Sequence, residues 1–472
     1  MDHELDAGSS VLASRATPTD QTSIPFDQHW SAPMESERNL ELSIEYRPIT
    51  ALAPYARNAR THSKHQVRQI ADSIRAFGFT NPILIDNKNT IIAGHGRVRA
   101  AALLDMEQVP TIRLDSLSEE QVRAYVLADN KLAENAGWDK SILAIEFQHL
   151  LTIESGELDV TVTGFEIPEI DVILQETSVK SVEDDELPSE IAGPAVTEPG
   201  DLWQLGKHRL LCGSSIQEES YKALMAGRRA AVVFSDPPYN VKIDGHVCGN
   251  GETRHREFAM ASGEMSEAEF VAFLSTSLRL LARHSALGSV HFICMDWRHM
   301  KELLAAGGQA YDSLLNLCVW VKDNGGMGSF YRSRHELVFV FRHGKDSHRN
   351  NVQLGRFGRY RTNVWEYPGV NTLSKGGEEG NLLALHPTVK PVALVADALL
   401  DCSARGDIVL DGFLGSGSTL LAAERIGRIC YGIEIDPLYL DVAIRRWQRH
   451  TGEVAVHAKT GRLFEDAGVR HG

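Results

Sequence analysis

Asp236, Pro237, Pro238 and Tyr239 close a short apolar run, Ala230 to Phe234. The pattern predicts a buried strand whose carboxyl end delivers a carboxylate, two rigid prolines and an aromatic ring. Few chemistries want that set together. One is reaction at the exocyclic amine of a nucleobase, whose lone pair is delocalised into the ring and attacks electrophiles poorly. The Asp236 carboxylate and the Pro237 carbonyl can accept hydrogen bonds from the NH2 and hold the lone pair outward, while Tyr239 stacks on the base. Asp-Pro-Pro is also ordinary turn punctuation, so the reading depends on a second feature far downstream.

That feature is Ile408-Val409-Leu410-Asp411, then Gly412-Phe413-Leu414-Gly415-Ser416-Gly417-Ser418-Thr419, then Leu420-Leu421. It reads as strand, glycine turn and helix start. Gly415 and Gly417 allow the backbone close to a ligand, and Ser418 and Thr419 set small polar groups beside the free N–H donors of the helix. About 20 residues on, Ile429 to Glu434 reads as the next strand, with Glu434 where doubly wound nucleotide folds hold a ribose. A dinucleotide-dependent oxidoreductase would share the turn and the acid, but would leave Asp236 to Tyr239 without a role.

Together these residues closely resemble the amino-group DNA methyltransferases that use S-adenosylmethionine, over about Gly200 to His450. The resemblance implies that Asp236, Pro237, Pro238 and Tyr239 are catalytic. It implies a cofactor site of Asp411, Phe413, Gly415, Ser416, Gly417, Ser418, Thr419 and Glu434, with Lys390, in His386-Pro387-Thr388-Val389-Lys390-Pro391, near the methionine end. The catalytic motif precedes the cofactor motif, an order that resembles the permuted beta class; both would meet at the switch point of one sheet. Pro199 to Gly213 resembles the opening of the family's domain, with Ser214 where an Asp is usual. An Asp heading the catalytic motif favours adenine N6, with cytosine N4 as the alternative. Asp236 would orient the amine by hydrogen bonding, and no covalent intermediate or cysteine nucleophile is needed.

Strand and helix patterns alternate between these anchors. Val290 to Cys294 and Leu337 to Phe341 are apolar and β-rich, while Glu267 to Ala282 and Arg298 to Ala306 read as helices. The fold class expected is α/β, a doubly wound, mostly parallel sheet of Rossmann-like type with a smaller N-terminal α+β domain. Lys242 to Ser262, polar and glycine-containing, reads as a loop that orders over substrate.

A net charge of −15 looks unsuited to a DNA enzyme, but its distribution matters more than the total. Glu183-Asp184-Asp185-Glu186 lies in a stretch that reads as a linker. Arg332, Arg334, Arg356, Arg359 and Arg361 instead crowd a segment interleaved with Phe330, Tyr331, Phe357 and Tyr360, a pattern suited to phosphate contact and base stacking. The six cysteines and 19 histidines form no metal-like spacing, so no metal is expected. The lack of a membrane-length apolar run or a signal-peptide pattern leads to the expectation of a cytoplasmic protein.

Four segments are expected: a disordered tail over 1–40, a small domain over 41–138, a connecting region and acidic linker over 139–196, and the catalytic domain over 197–460. The small domain resembles the N-terminal domain of ParB-type partition proteins. There Gly94, His95, Gly96, Arg97 and Arg99 match a turn that serves phosphate or nucleotide binding, although the family more often has an acid and an arginine at His95-Gly96. These resemblances imply a site-specific methyltransferase of double-stranded DNA, with a nucleotide partner at the ParB-like domain and a homodimer left open. The rival is a non-catalytic ParB-like DNA-binding or nucleotide-switch protein.

Overall fold

The computed structural model describes residues 42–152, 159–177, 194–241, 261, 263–323, 330–369 and 389–465. In the N-terminal part, strands β1 (Ile44–Pro48), β2 (Ile83–Ile85), β3 (Ile91–Ala93) and β4 (Gln108–Arg113) form a sheet of order β1-β4-β2-β3. Its core is small: Ile83, Ile85, Ile91, Ala101 and Val109. The helix Lys64–Phe77 starts at Ser63, whose side chain accepts from the Gln66 amide. Helices Lys140–Thr152 and Ile167–Thr177 pack around Phe147, Ile170 and Ile173 as a separate apolar cluster.

A ten-stranded sheet organises the rest of the chain. Its strands are β5 (Leu202–Leu205), β6 (His208–Cys212), β7 (Ala230–Ser235), β8 (Ser285–Met295), β9 (Ser313–Val321), β10 (His335–Arg342), β11 (Val364–Glu366), β12 (Ile408–Asp411), β13 (Ile429–Glu434) and β14 (Val456–His457). The order is β11-β9-β10-β8-β7-β12-β13-β6-β5-β14. The centre, β8-β7-β12-β13-β6, is parallel, while β10 and β5 join it antiparallel. Apolar side chains leave both faces of the central strands, as expected of parallel strands covered on both sides. One face packs under helices Val392–Cys402, Ser418–Arg425 and Pro437–Thr451; the other packs under Glu218–Met225, Glu267–Arg283 and Met300–Ala310.

Strands β7 and β12 are direct neighbours, with Val232 opposite Val409 and Val233 opposite Leu410. The chain leaves β7 toward β8 on one side and β12 toward β13 on the other. Their shared carboxyl ends are therefore a switch point, where a doubly wound sheet opens a crevice. Both motifs singled out in the sequence emerge there.

The connecting region is more than a tether. The helix Ile167–Thr177 reaches the catalytic sheet's outer layer through Asp171, which pairs with Arg428 Nη2 at 2.8 Å and Arg405 Nε at 2.9 Å. Gln175 donates to Asp397 at 2.6 Å and accepts from Arg359 at 3.0 Å.

Candidate active site

A single cleft at the switch point is lined by Asp236, Pro237, Pro238 and Tyr239 from the end of β7, by Asp411 to Ser416 with Ser418 and Thr419 from the turn after β12, and by Glu434 from the end of β13. The structure thus brings the two sequence motifs together.

The catalytic end is a buried charge cluster. Asp236 keeps 19% of its side-chain surface exposed toward the cleft. Its Oδ1 accepts from the Tyr239 hydroxyl at 2.7 Å, and its Oδ2 from Lys390 Nζ at 2.5 Å. Burial pushes the Asp236 carboxyl above the usual range against the pull of Lys390. Beneath it lies Glu336, at the start of β10, which meets Lys390 at 3.0 Å, the Tyr239 hydroxyl at 3.1 Å, and Lys322. Burial would raise Glu336, but the combined pull of Lys390 and Lys322 takes it down to about 2. The indole of Trp320 floors the cluster, 4.5 Å from Lys322 Nζ and 5.9 Å from Lys390 Nζ. Asn240 adopts a left-handed conformation, with φ 54°, and its side chain bonds Gly263 and Met265. It therefore ties the catalytic turn to the start of the next helix. The loop expected over Lys242 to Ser262 lies almost wholly outside the described residues.

At the other end, the glycine turn is fixed from below. Asp411 accepts from Ser235 Oγ at 3.1 Å, the Phe413 amide at 3.0 Å and Thr419 Oγ1 at 2.7 Å; burial raises its carboxyl to about 6. Asp411 and Thr419 bond each other, so these two expected ligand contacts brace the turn. Gly415, at φ 54°, donates its amide to Glu434 Oε2 at 2.8 Å. Gly417, at φ 89°, could carry no side chain, because a Cβ there would stand 2.8 Å from the Cβ of Ala443. Its glycine serves helix packing rather than ligand approach. Ser416 holds Arg446 through its carbonyl at 2.7 Å and its hydroxyl at 3.2 Å.

Glu434 is buried and raised to about 7, chiefly by desolvation, and its Oε1 accepts from the Asp436 amide at 2.9 Å. With Asp436, Ile435 and Phe413 beside it in the cleft wall, this donor set fits a nucleoside-bearing cofactor: acids for sugar hydroxyls, apolar surfaces for a base. Phe413 rests against Phe273, with centroids 6.0 Å apart.

Several expectations need correction. Lys390 does line the cleft, but its ammonium is committed to Asp236 and Glu336 rather than held open toward a methionine end. Arg359 is 6% exposed and bonds Asp401, Asp397 and Gln175, and Arg361 bonds Asp401 and Tyr367. Their acidic partners lie on the helix Val392–Cys402, which draws both guanidinium groups inward and away from a DNA surface. Arg332, Arg334 and Arg356 are exposed, and so are Phe330 and Tyr331, at 86% and 81%.

In the ParB-like domain, Gly94 caps the helix His95–Leu103 with φ 102°. Arg97 is turned onto the Asn81 and Pro82 carbonyls at 2.7 and 3.1 Å, which leaves its guanidinium engaged with protein. His95 Nε2 accepts from the Tyr55 amide at 3.2 Å, and a side chain at Gly96 would press on His62 and Ile70. Arg99 is exposed.

Glu336 and Lys322 escaped the sequence reading. The available signal was a lone carboxylate heading an otherwise apolar strand, where an unpaired charge would be costly. Among the described residues, no group of three or more His, Cys, Asp or Glu side chains could hold a metal ion. No described helix is long and apolar enough to cross a membrane.

This cleft coincides with the family evidence. Residues 230–445 match the DNA methylase family of N6/N4 enzymes, residues 141–199 the ParB-methyltransferase HTH domain, and residues 35–131 the ParB N-terminal domain. The chain therefore carries a DNA methylase domain of the amino-group (N6/N4) family over residues 230–445, preceded by an N-terminal ParB-like domain. The HTH match also gives the connecting region an identity that the sequence reading had not assigned. Among relatives, the ParB-like nuclease domain-containing protein YnaK of Escherichia coli K12 is 59% identical over 81 residues, covering 17% of this chain and 93% of that protein. The type II methyltransferase M2.MboI of Moraxella bovis is 25% identical over 234 residues, covering 47% of this chain and 81% of the relative. The solved M1.HpyAVI–SAM complex shares 18% identity with a TM-score of 0.36, covering 50% of this chain and 98% of that one.

Proposed function

We propose that this protein is a site-specific DNA methyltransferase that moves the methyl group of S-adenosylmethionine to N6 of an adenine flipped out of duplex DNA. The observation that carries this reading is the meeting of Asp236 to Tyr239 with the Phe413 to Thr419 turn in one cleft at the switch point. When bound, S-adenosylmethionine supplies an electrophilic methyl group on a sulfonium, which leaves as a neutral thioether when the new N–C bond forms. Phe413 and Ile435 would flank its adenine, and Glu434 with Asp436 would take its sugar hydroxyls. Asp236 and the Pro237 carbonyl would receive the two amine hydrogens, keeping the nitrogen lone pair free of the ring. Tyr239 would stack on the flipped base. The proton shed by the nitrogen passes to Asp236, whose burial favours its protonated form.

Adenine is favoured by the Asp at the head of the motif, and N4 of cytosine is the competing target. Arg332, Arg334 and Arg356, with Phe330 and Tyr331, are the proposed DNA contacts on this domain. The exposed Arg99 and the HTH segment would add contacts from the N-terminal side. The test is incubation of the full chain with duplex DNA and methyl-labelled S-adenosylmethionine, followed by nucleoside chromatography. Label in N6-methyladenine is expected, label in N4-methylcytosine would reverse the base assignment, and no DNA label would reject the reading.

A further inference from the structure

Beneath the cleft, Lys390 faces three oxygens at once. Its ammonium lies 2.5 Å from Asp236 Oδ2, 3.0 Å from Glu336 Oε2 and 3.2 Å from the Tyr239 hydroxyl. That hydroxyl has one proton to give and two carboxylates within reach, Asp236 at 2.7 Å and Glu336 at 3.1 Å. Both oxygens of Asp236 are thus engaged, one by Tyr239 and the other by Lys390. Each oxygen keeps a further lone pair, but an arriving amine has to share the carboxylate's charge with those two donors.

Glu336 is built to receive what Asp236 releases. Its Oε2 already touches both donors, while Lys322 holds its Oε1. Two carboxylates and two ammonium groups make up the cluster, so a bond shifted from Asp236 to Glu336 moves no net charge into or out of the buried site. The shift needs only a turn of the Tyr239 O–H and a small swing of Lys390, whose ammonium sits against the Tyr239 and Trp320 rings. Glu336 also stays ionised under the pull of two lysines, whereas burial weakens the charged form of Asp236. Nothing in the packing of an apolar strand calls for a carboxylate at this position, which would be costly without its partners.

We propose that Glu336 is a positioning residue for methyl transfer: it takes over the Tyr239 hydroxyl and the Lys390 ammonium as the target amine reaches Asp236, and so frees Asp236 to accept the amine. This rests on the methyltransferase reading above. Without the Glu336 charge, Lys390 would settle wholly on Asp236 and weaken its hold on the amine, while cofactor and DNA binding would be unaffected.

Single-turnover methyl transfer in the full chain, together with calorimetric binding of S-adenosylmethionine, tests this. Glu336→Gln should slow transfer by roughly 10- to 100-fold, the scale on which losing a partner that orients a site ligand is felt, with cofactor affinity unchanged. Adding Lys390→Met to Glu336→Gln should recover part of the rate, because the competing ammonium is then gone. A purely structural role for Glu336 would make the double variant worse. Glu336→Asp, which keeps the charge but draws it back by one methylene, should lie between the wild type and Glu336→Gln. A wild-type rate in Glu336→Gln, or a double variant no faster than Glu336→Gln, would overturn the proposal. Should Glu336→Gln fail to fold, a folded Glu336→Asp with the wild-type rate would overturn it equally. A wild-type chain that transfers no methyl to DNA would instead defeat the methyltransferase reading, so the two failures are distinguishable.

Discussion

Replacing Asp171 by Asn should loosen the joint between the HTH segment and the catalytic domain, by an amount that the structure constrains. The side chains of Asp171 and Arg428 are 2% and 0% exposed, and they meet at 2.8 Å. Asn keeps the volume of Asp but removes the charge that balances Arg428. Breaking a buried pair from one side typically costs about 3–5 kcal/mol, because the remaining charge has no partner and no water. Arg428 keeps bonds to the Ser403 hydroxyl, the Ser403 carbonyl and the Ile426 carbonyl, and Arg405, at 26% exposed, can turn to solvent. The loss should therefore fall near the lower end, about 3 kcal/mol. Urea unfolding followed by tryptophan fluorescence measures it, and limited proteolysis reports whether the helix Ile167–Thr177 is released first. The double variant Asp171→Leu with Arg428→Met should recover most of the loss, since an apolar pair needs no counter-charge. A cost for Asp171→Asn below about 1 kcal/mol, the range of exposed pairs, would refute the claim that this joint rests on a buried ion pair.

Asp236→Ala should abolish transfer in single-turnover assays yet bind S-adenosylmethionine normally by calorimetry, because the proposed partner of its carboxylate is the target amine. Burial raises Asp411 to about 6 and Glu434 to about 7, so the folded chain keeps protons there that the unfolded chain has already released. Thermal stability of the ligand-free protein should accordingly fall as pH rises from about 5 to 7, and Glu434→Gln should flatten that decline in a series of melting curves. Arg332→Ala, Arg334→Ala and Arg356→Ala should each weaken DNA binding and reduce its salt slope by about one. Arg359→Ala should leave the salt slope alone and lower the melting temperature, since its partners are Asp397 and Asp401.

Both motifs of the site were legible because each is a contiguous run at the end of a strand, where a few residue types in fixed order carry the chemistry. Their neighbourhood was not. Lys390 was found, but its two carboxylate partners come from separate strands, and nothing in local spacing states that β10 lies one strand away from β7, across β8. Arg359 misled for a similar reason. Its sequence neighbours are basic and aromatic, while the acids that claim it lie on the helix Val392–Cys402. The central alternation of strand and helix announced the parallel sheet, whereas the antiparallel strands at its flanks follow from pairings that periodicity does not encode. The stretch over 139–196 was read only as a connecting region and acidic linker; the buried Asp171 that docks the helix Ile167–Thr177 could not be told from a solvated acid.

The pairing of β7 with β12 also bears on how this protein comes into being. Strand β7 is synthesised early and can pair at once with β8, yet its other edge stays bare until β12, far along the chain, has been made. Such a distant pairing carries a large loop-closure cost and forms slowly. A nascent chain that ends before residue 408 would hold Asp236 on an open sheet edge with no glycine turn beside it. The crevice thus cannot exist before residues 408–434 have emerged, and an interrupted product would be inert toward DNA and prone to pair its bare edge with another chain.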